Sequence, residues 1–509
     1  HLDRGITIRD CTLTLPEGRG TLYPSLLIET SDKGFSIKGS VKLSKASLEW
    51  MYRWGGNINL PFGIVSGRIE NLIITKALVA GDVKASSTLR GSDTLFRANG
   101  FCRIDIPVRT VSIDRTRCSA GGSSFTIDSF LLSFGGKPVR FAIHAIDASV
   151  GELKHLLPLI PGPLFGRIRG DLRYDRGTYN GNMAVREGGY DPARITISGL
   201  NADISIADGL FKNTGIPFNF YGNPCLLSIA SSDPSLKRLF INIKTDTFRI
   251  NHGPGGFSGP GSSFDIPIEI FGVIEARRFS LGLHNLDAVH LSYRLSGKKV
   301  TIPGLRFIYA DGTISGNGFI SMAQGPPRAS LFLDIAGLRV QNALSHREEL
   351  RNRFFGVMNG RSNIDFEISG MILETAKGSV ECTIDRGKLV DTGIQKGLGI
   401  LLSEMRYKLR DMEFNRIYGN IGIRGTNYLV NSFIFNSPDV RLKITGSFDR
   451  KLIAYPLDIS LEFTREFIQD LPGLVIAPWL NSYLSGDWYT IPFVMTGDMT
   501  ESKNMRRAD

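Results

Sequence analysis

Histidine, cysteine and carboxylate side chains are where chemistry would start, and in this sequence they are dispersed. The seven histidines are His1, His144, His155, His252, His284, His290 and His346, and none falls into HExxH or another metal-ligand spacing. His284 and His290 stand six apart in strand-like sequence, a parity that puts them on one face and suits a surface or core pair better than a metal site. The five cysteines, Cys11, Cys102, Cys118, Cys225 and Cys382, include no CxxC pair, so neither a zinc ribbon nor thioredoxin chemistry is supported. Cys102 and Cys118 flank a short segment. They read either as a disulfide in an oxidising compartment or as two half-buried thiols on neighbouring strands. Asp171, Asp175 and Asp311 are scattered and partly in turn contexts, not converging as a glycosidase pair would require. There is no GxSxG elbow and no Walker loop, and the glycines of 253–261 lack the Lys-Ser/Thr that would hold a phosphate and metal. No enzyme activity and no cofactor are expected.

The elements carrying these residues are strands. Residues 440–446 place Val440, Leu442 and Ile444 on one face and Arg441, Lys443 and Thr445 on the other; Leu457, Ile459, Leu461 and Phe463 repeat the pattern. Leu331/Leu333/Ile335, Ile364/Phe366/Ile368, Val289/Leu291/Tyr293/Leu295 and Phe141/Ile143/Ala145 alternate in the same way. Helical spacing is confined to islands near 45–54, 150–158, 341–353, 394–410 and 464–482, too few for an α/β crossover fold. The sequence therefore predicts a mostly-β fold: an elongated, curled antiparallel sheet with an apolar groove and a few short capping helices. About 35 strands at ~4.8 Å spacing would extend on the order of 170 Å.

Composition agrees. Of 509 residues, 42% are hydrophobic and 21% charged, which excludes disorder over most of the chain, and 57 Gly with 31 Phe suit short strands, glycine turns and a greasy face. The net charge of +11 is a mild basic excess without a Lys/Arg run, so no nucleic-acid partner is expected; a diffuse positive surface would suit anionic lipid headgroups. No run reaches eighteen apolar residues, so no transmembrane helix is expected. The chain starts at His1, which suggests a piece of a longer product whose membrane anchor lies outside it.

Phe-Gly-x-x-x-Gly recurs at Phe62…Gly67, Phe165…Gly170 and Phe355…Gly360, with a weaker copy at Phe271-Gly272…Ala276. Phe62, Phe165 and Phe271 lie about one hundred residues apart, which suggests stacked multi-strand modules. The Gly/Pro-rich stretch 253–261 is the best boundary. The expected organisation is N-terminal β-groove modules over 1–260, a middle module over 261–376, a C-terminal domain over 377–500 and a frayed polar tail over 501–509.

Residues 377–500 resemble the AsmA-like C-terminal domain. Lys377–Leu389 is similar to its opening strand and glycine turn; Gly399-Ile400-Leu401-Leu402 to the helix that follows; and Phe414–Ile417, Asn436–Asp449 and Ile491–Thr500 to later strands. The family usually places a Pro after the last glycine, and none follows Gly497. Tyr309–Gly318 and Phe165–Leu172 resemble its paired-glycine hairpins. This AsmA/TamB group resembles bridge-like lipid transfer proteins. The resemblance implies a periplasmic location in a diderm bacterium, an inner-membrane anchor outside this chain, phospholipids as partners with envelope proteins as further ones, and phospholipid traffic between the membranes in support of envelope integrity. It brings no catalytic residues.

Strand parity then nominates the groove lining: Leu331, Leu333, Ile335, Ile364, Phe366, Ile368, Leu442, Ile444, Leu457, Ile459, Leu461 and Phe463, with Ile459→Asp as the substitution that should block lipid passage. The competing readings are a scaffold or assembly factor for outer-membrane proteins and a polysaccharide-active β-helix enzyme.

Overall fold

Alternating sequence becomes strand almost everywhere. The structure, a computed structural model, describes residues 6–14, 20–31, 34–47, 62–89, 94–133, 138–152, 164–190, 197–234, 237–250, 268–323, 326–348, 350–368, 372–390, 412–469, 478–499 and 501–508. Strands make up 79% of it, which settles a mostly-β, curled antiparallel architecture. Among the described residues the α-helices are short: Val340–Ala343, Ile372–Thr375 and Arg465–Gln469. The islands foreseen at 341–353 and 464–482 shrink to the first and third of these plus a 3-10 turn at Pro478–Tyr483. Val150–Glu152 are helical, and 45–47 belong to strand Gly34–Ser47. The island at 394–410 and the glycine stretch 253–261 lie outside the described residues, as do His1, His155 and His252.

By its contacts the chain divides into two compact units, His1–Ile241 and Asn242–Asp509, the division falling within the residues of strand Arg238–Ile250. In the first, strands follow one another as an antiparallel meander from Thr21–Ser31 to Asn223–Ser231. In the second the meander runs from Glu269–Leu281 to Ile453–Thr464 and ends on Trp488–Asp498. Lys377–Leu389 pairs with Phe354–Glu367 on one side and Met412–Arg424 on the other, so the sheet runs unbroken past residue 376. The tail is not frayed: Met505–Arg507 pairs with Phe493–Met495, and the Ala508 amide donates to Pro492 O at 3.0 Å. The partly buried Met505 packs against the core and anchors it.

Each Phe-Gly motif lies in the opening residues of a strand: Phe62–Ile74, Leu164–Asp175, Glu269–Leu281 and Phe354–Glu367. At the motif's last glycine the neighbouring backbone approaches closely. A Cβ on Gly170, whose φ is +136°, would sit 1.9 Å from Asn182 O. In the weaker copy Ala276 is buried at the equivalent place.

Long strands stay in register by bulging. Lys45, Asn71, Arg115, Ala145, Glu187, Ala288 and Arg386 lie inside strands with φ between +48° and +50°, the left-handed region, although none is glycine. Each adds one outward-pointing residue, so inward positions jump by three, as from Ile143 to Ile146 where the register with Leu164–Asp175 shifts. This corrects two sequence expectations. Ala145 is the exposed bulge residue itself, and Ile146 and Ala148 continue the inner face. The bulge at Ala288 separates His284 from His290. His284 Nδ1 is 2.8 Å from the Tyr309 hydroxyl and its ring meets His346, whereas His290 pairs with the exposed Glu275.

Several bulge amides are satisfied by a side chain of the next strand: Lys45 N–H donates to Ser66 Oγ (3.0 Å), Ala145 N–H to Asp171 Oδ1 (3.1 Å) and Glu187 N–H to Asn201 Oδ1 (3.0 Å). Asp171, weighed above as a carboxylate, therefore holds a backbone amide. Asp171→Ala should lower the unfolding free energy by about 1 kcal/mol, while Asp171→Asn, which keeps an acceptor oxygen, should stay near the parent in urea denaturation.

The cysteines are free. Cys102 faces Ile113, and Cys118 faces Ala98, four residues away along the strand. At ~3.4 Å per residue that offset is on the order of 13 Å, beyond the ~7 Å a disulfide spans. Burial pushes the Cys118 thiol up to about 12 and raises those of Cys102 and Cys382. A thiol whose folded pKa is raised stabilises the fold below its unfolded value of ~8.5 and loses that contribution as pH climbs. At pH 8 Cys118 should stay silent to Ellman's reagent in the folded protein and react after unfolding.

Candidate functional site

The second unit has two chemically opposite faces. Cross-strand partners share a face, so the pairing traces one row after another. Ile320 lies opposite Ala329 and Ala329 opposite Phe366; Gly318 lies opposite Leu331 and Leu331 opposite Ile364; Gly316 lies opposite Leu333. Further along come Ser362 against Val380, Ile384 against Ile417 and Ile417 against Phe435. Almost every member is apolar or glycine. The reverse face carries ion pairs instead: Arg361–Asp334 (3.1 Å), Arg416–Asp385 (2.7 Å), Arg328–Glu367 (3.0 Å), and Tyr418 donating to Glu381 (2.9 Å).

The apolar face is covered unevenly. Toward the C-terminal strands it is a packed core. Leu442, Ile444, Leu457, Ile459, Leu461 and Phe463 are 0–7% exposed, joined by Phe435, Ile491 and Met495. Ile468 of helix Arg465–Gln469 and Leu480 of the 3-10 turn complete that core, both with no exposed surface, and Val340 of helix Val340–Ala343 belongs to it as well. Phe463 stacks on Phe467 with centroids 5.6 Å apart. Arg441 and Lys443 on the reverse face share the buried Glu462, at 3.2 and 2.6 Å.

Over strands Glu269–Leu281 to Phe354–Glu367 the same face is mostly half-buried. Leu331, Leu333, Ile335, Ile364 and Phe366 keep part of their surface open, as does Ile368, which lies just past the strand and donates its amide to Pro327 O. Tyr293 lies in this face, opposite Gly272, and its burial pushes the phenol up to about 12. The twelve residues nominated from the sequence thus fall into two sets of six: one lining a half-open apolar face, the other forming the packed core that closes its end. Parity placed all twelve on one face. The closing segment was invisible to parity because Ile468 and Leu480 reach the core from outside the alternation.

No protein-family model matches the chain, and no curated protein matches it in sequence.

The first unit repeats the division. Phe141, Ile143, Leu172 and Tyr174 pair across strands on one face, Phe141 stacking on Tyr174 at 5.4 Å and Tyr174 packing on Tyr179 at 4.8 Å. The opposite face carries charge and serine. No group of three or more His, Cys, Asp or Glu among the described residues is arranged to hold a metal ion. No helix among them is long and apolar enough to cross a membrane.

The two sets of six should respond differently to charge. Ile459→Asp places a carboxylate in the closed core and should cost at least ~3 kcal/mol or prevent folding, whereas Leu333→Asp should stay within about 1 kcal/mol of the parent, as read by chemical denaturation.

Proposed function

We propose that the chain is a lipid-holding groove protein that carries phospholipid along its apolar face, acting in the periplasm between the inner and outer membranes and not as an enzyme. The observation that carries this reading is the half-open apolar face over residues 269–367, backed by an ion-paired reverse face and ended by a packed core. A sheet whose only role was to fold would gain by covering that face completely, since apolar surface left in water forgoes about 25 cal/mol per Å². Acyl chains would supply the missing cover at about 0.8 kcal/mol per buried CH₂, while the headgroup stays in water, where its charge costs nothing to solvate. Such a face needs no specific site, which fits a sequence rich in alternation and poor in motifs. The resemblance of residues 377–500 to the AsmA-like C-terminal domain supports the same substrate class and location.

The test is mass spectrometry of lipid extracted from the detergent-free full chain. Phospholipid in at least stoichiometric amount is expected, reduced severalfold in a Leu333→Asp, Ile364→Asp double variant that keeps the β-sheet circular dichroism of the parent. Folded protein free of lipid would overturn the reading and favour a scaffold.

A further inference from the structure

The polar face of the first unit carries a second feature, independent of what occupies the apolar face. Lys42 on strand Gly34–Ser47 lies directly opposite Arg68 on Phe62–Ile74, and Arg68 directly opposite Lys84 on Leu78–Leu89. Lys84 then faces Asn99, and Asn99 faces Arg117. A parallel row, shifted by one strand, runs Ser66, Ser86, Arg97, Ser119 and Ser124, from Phe62–Ile74 to Ser123–Ser133. Between the rows lies a cleft of about 870 Å³, lined by Lys42, Arg68, Lys84, Arg97 and Arg117 with serine hydroxyls and the Asn99 amide. Between those outward residues the lining also includes Leu43, Gly67, Ala85, Ala98 and Cys118, whereas Ile69, Val83 and Phe125 are not part of it.

The charge here is only partly neutralised. Glu70 accepts from Arg68 at 2.8 Å and from Lys84 at 3.4 Å, and Asp82 lies opposite Glu70 at one end of the rows. Among the described residues Arg97 and Arg117 have no acidic partner, and Lys42 rests 5.9 Å over the Tyr23 ring. Like charges directly opposed on neighbouring strands destabilise a sheet. Elsewhere the protein pairs its exposed charges across strands, as at Arg361–Asp334 and Arg277–Asp246. Five cations in one cleft, all exposed, are therefore a cost that folding alone does not explain.

We propose that this cleft binds a linear polyanion bearing closely spaced phosphate groups. Strands spaced ~4.8 Å apart set the cations along a line on the order of 19 Å from Lys42 to Arg117, a ladder suited to successive anionic groups and longer than one phosphate needs. Arginine forks and hydroxyls supply the charge-assisted and neutral donors that phosphate oxygens accept. No aromatic ring lines the cleft among the described residues, so there is no platform on which the bases of a single-stranded nucleic acid would stack.

The experiment titrates the full chain with short-chain inorganic polyphosphate across a salt series, beside orthophosphate at equal phosphate concentration and vesicles containing phosphatidylglycerol. Polyphosphate should bind, and log K should fall linearly with log salt. The Arg97→Gln, Arg117→Gln double variant should bind at least about tenfold more weakly, with a salt slope shallower by about two, at a thermal midpoint no lower than the parent's. A control removing two cations of the second unit, Arg361→Gln with Arg416→Gln, should leave binding as in the parent. An equal loss in the control would mean diffuse charge attraction and overturn the site, as would orthophosphate competing equally or a double variant that binds like the parent. Vesicle binding lost in the double variant without any polyphosphate binding would assign the cations to a membrane surface, also against the proposal.

Discussion

A strand of twelve or thirteen residues that must keep one face dry along its whole length meets a geometric obstacle. Sheets twist by roughly 20° per strand, and over that length the inward row drifts off the face it started on. Here the drift is absorbed by a single left-handed residue in mid-strand, as at Ala145 and Glu187, which bends the strand and resets its parity. The conformation costs a non-glycine residue about 1 kcal/mol and frees an amide from the ladder, and a neighbouring Ser, Asp or Asn oxygen takes that amide up. The curl of the sheet, the continuity of its apolar face and the outward placement of its charges all depend on these bulges.

The two faces contribute unequally to stability. Exposed ion pairs such as Arg361–Asp334 are worth a fraction of a kcal/mol each, because solvent screens them and two long side chains must be held still. Glu462 differs, being buried between Arg441 and Lys443 with Arg441 lying 4.5 Å over the Trp488 ring. The apolar face does most of the work where it is covered, and the closed core around Phe435, Leu461 and Ile491 is where the second unit's stability is concentrated.

Much of this was legible in the residues. Alternation gave strands, one wet face and one dry face, and it put Leu331, Ile364 and Leu461 on the same side. It misplaced Ala145 and put His284 and His290 together, because a left-handed Ala or Arg leaves no mark in composition as a glycine would. It left half-open Leu333 indistinguishable from closed Ile459, because coverage is decided by segments distant in sequence. The cationic cleft was equally hidden. Lys42, Arg68, Lys84 and Arg117 are spread over seventy-six positions, and only the register of five strands makes them neighbours.

The meander has a consequence for how the protein is made. Within each unit almost every described strand bonds to the strands just before and just after it, so these pairings close between chain neighbours. The entropy of loop closure is met in small, nearly equal instalments, and each hairpin offers the edge on which the next strand forms. Such a sheet can assemble in the order in which it is synthesised, with a single growing edge at any moment. Segments that come late, such as Ile468, Leu480 and Met505, then seal apolar surface that the earlier strands have already laid down.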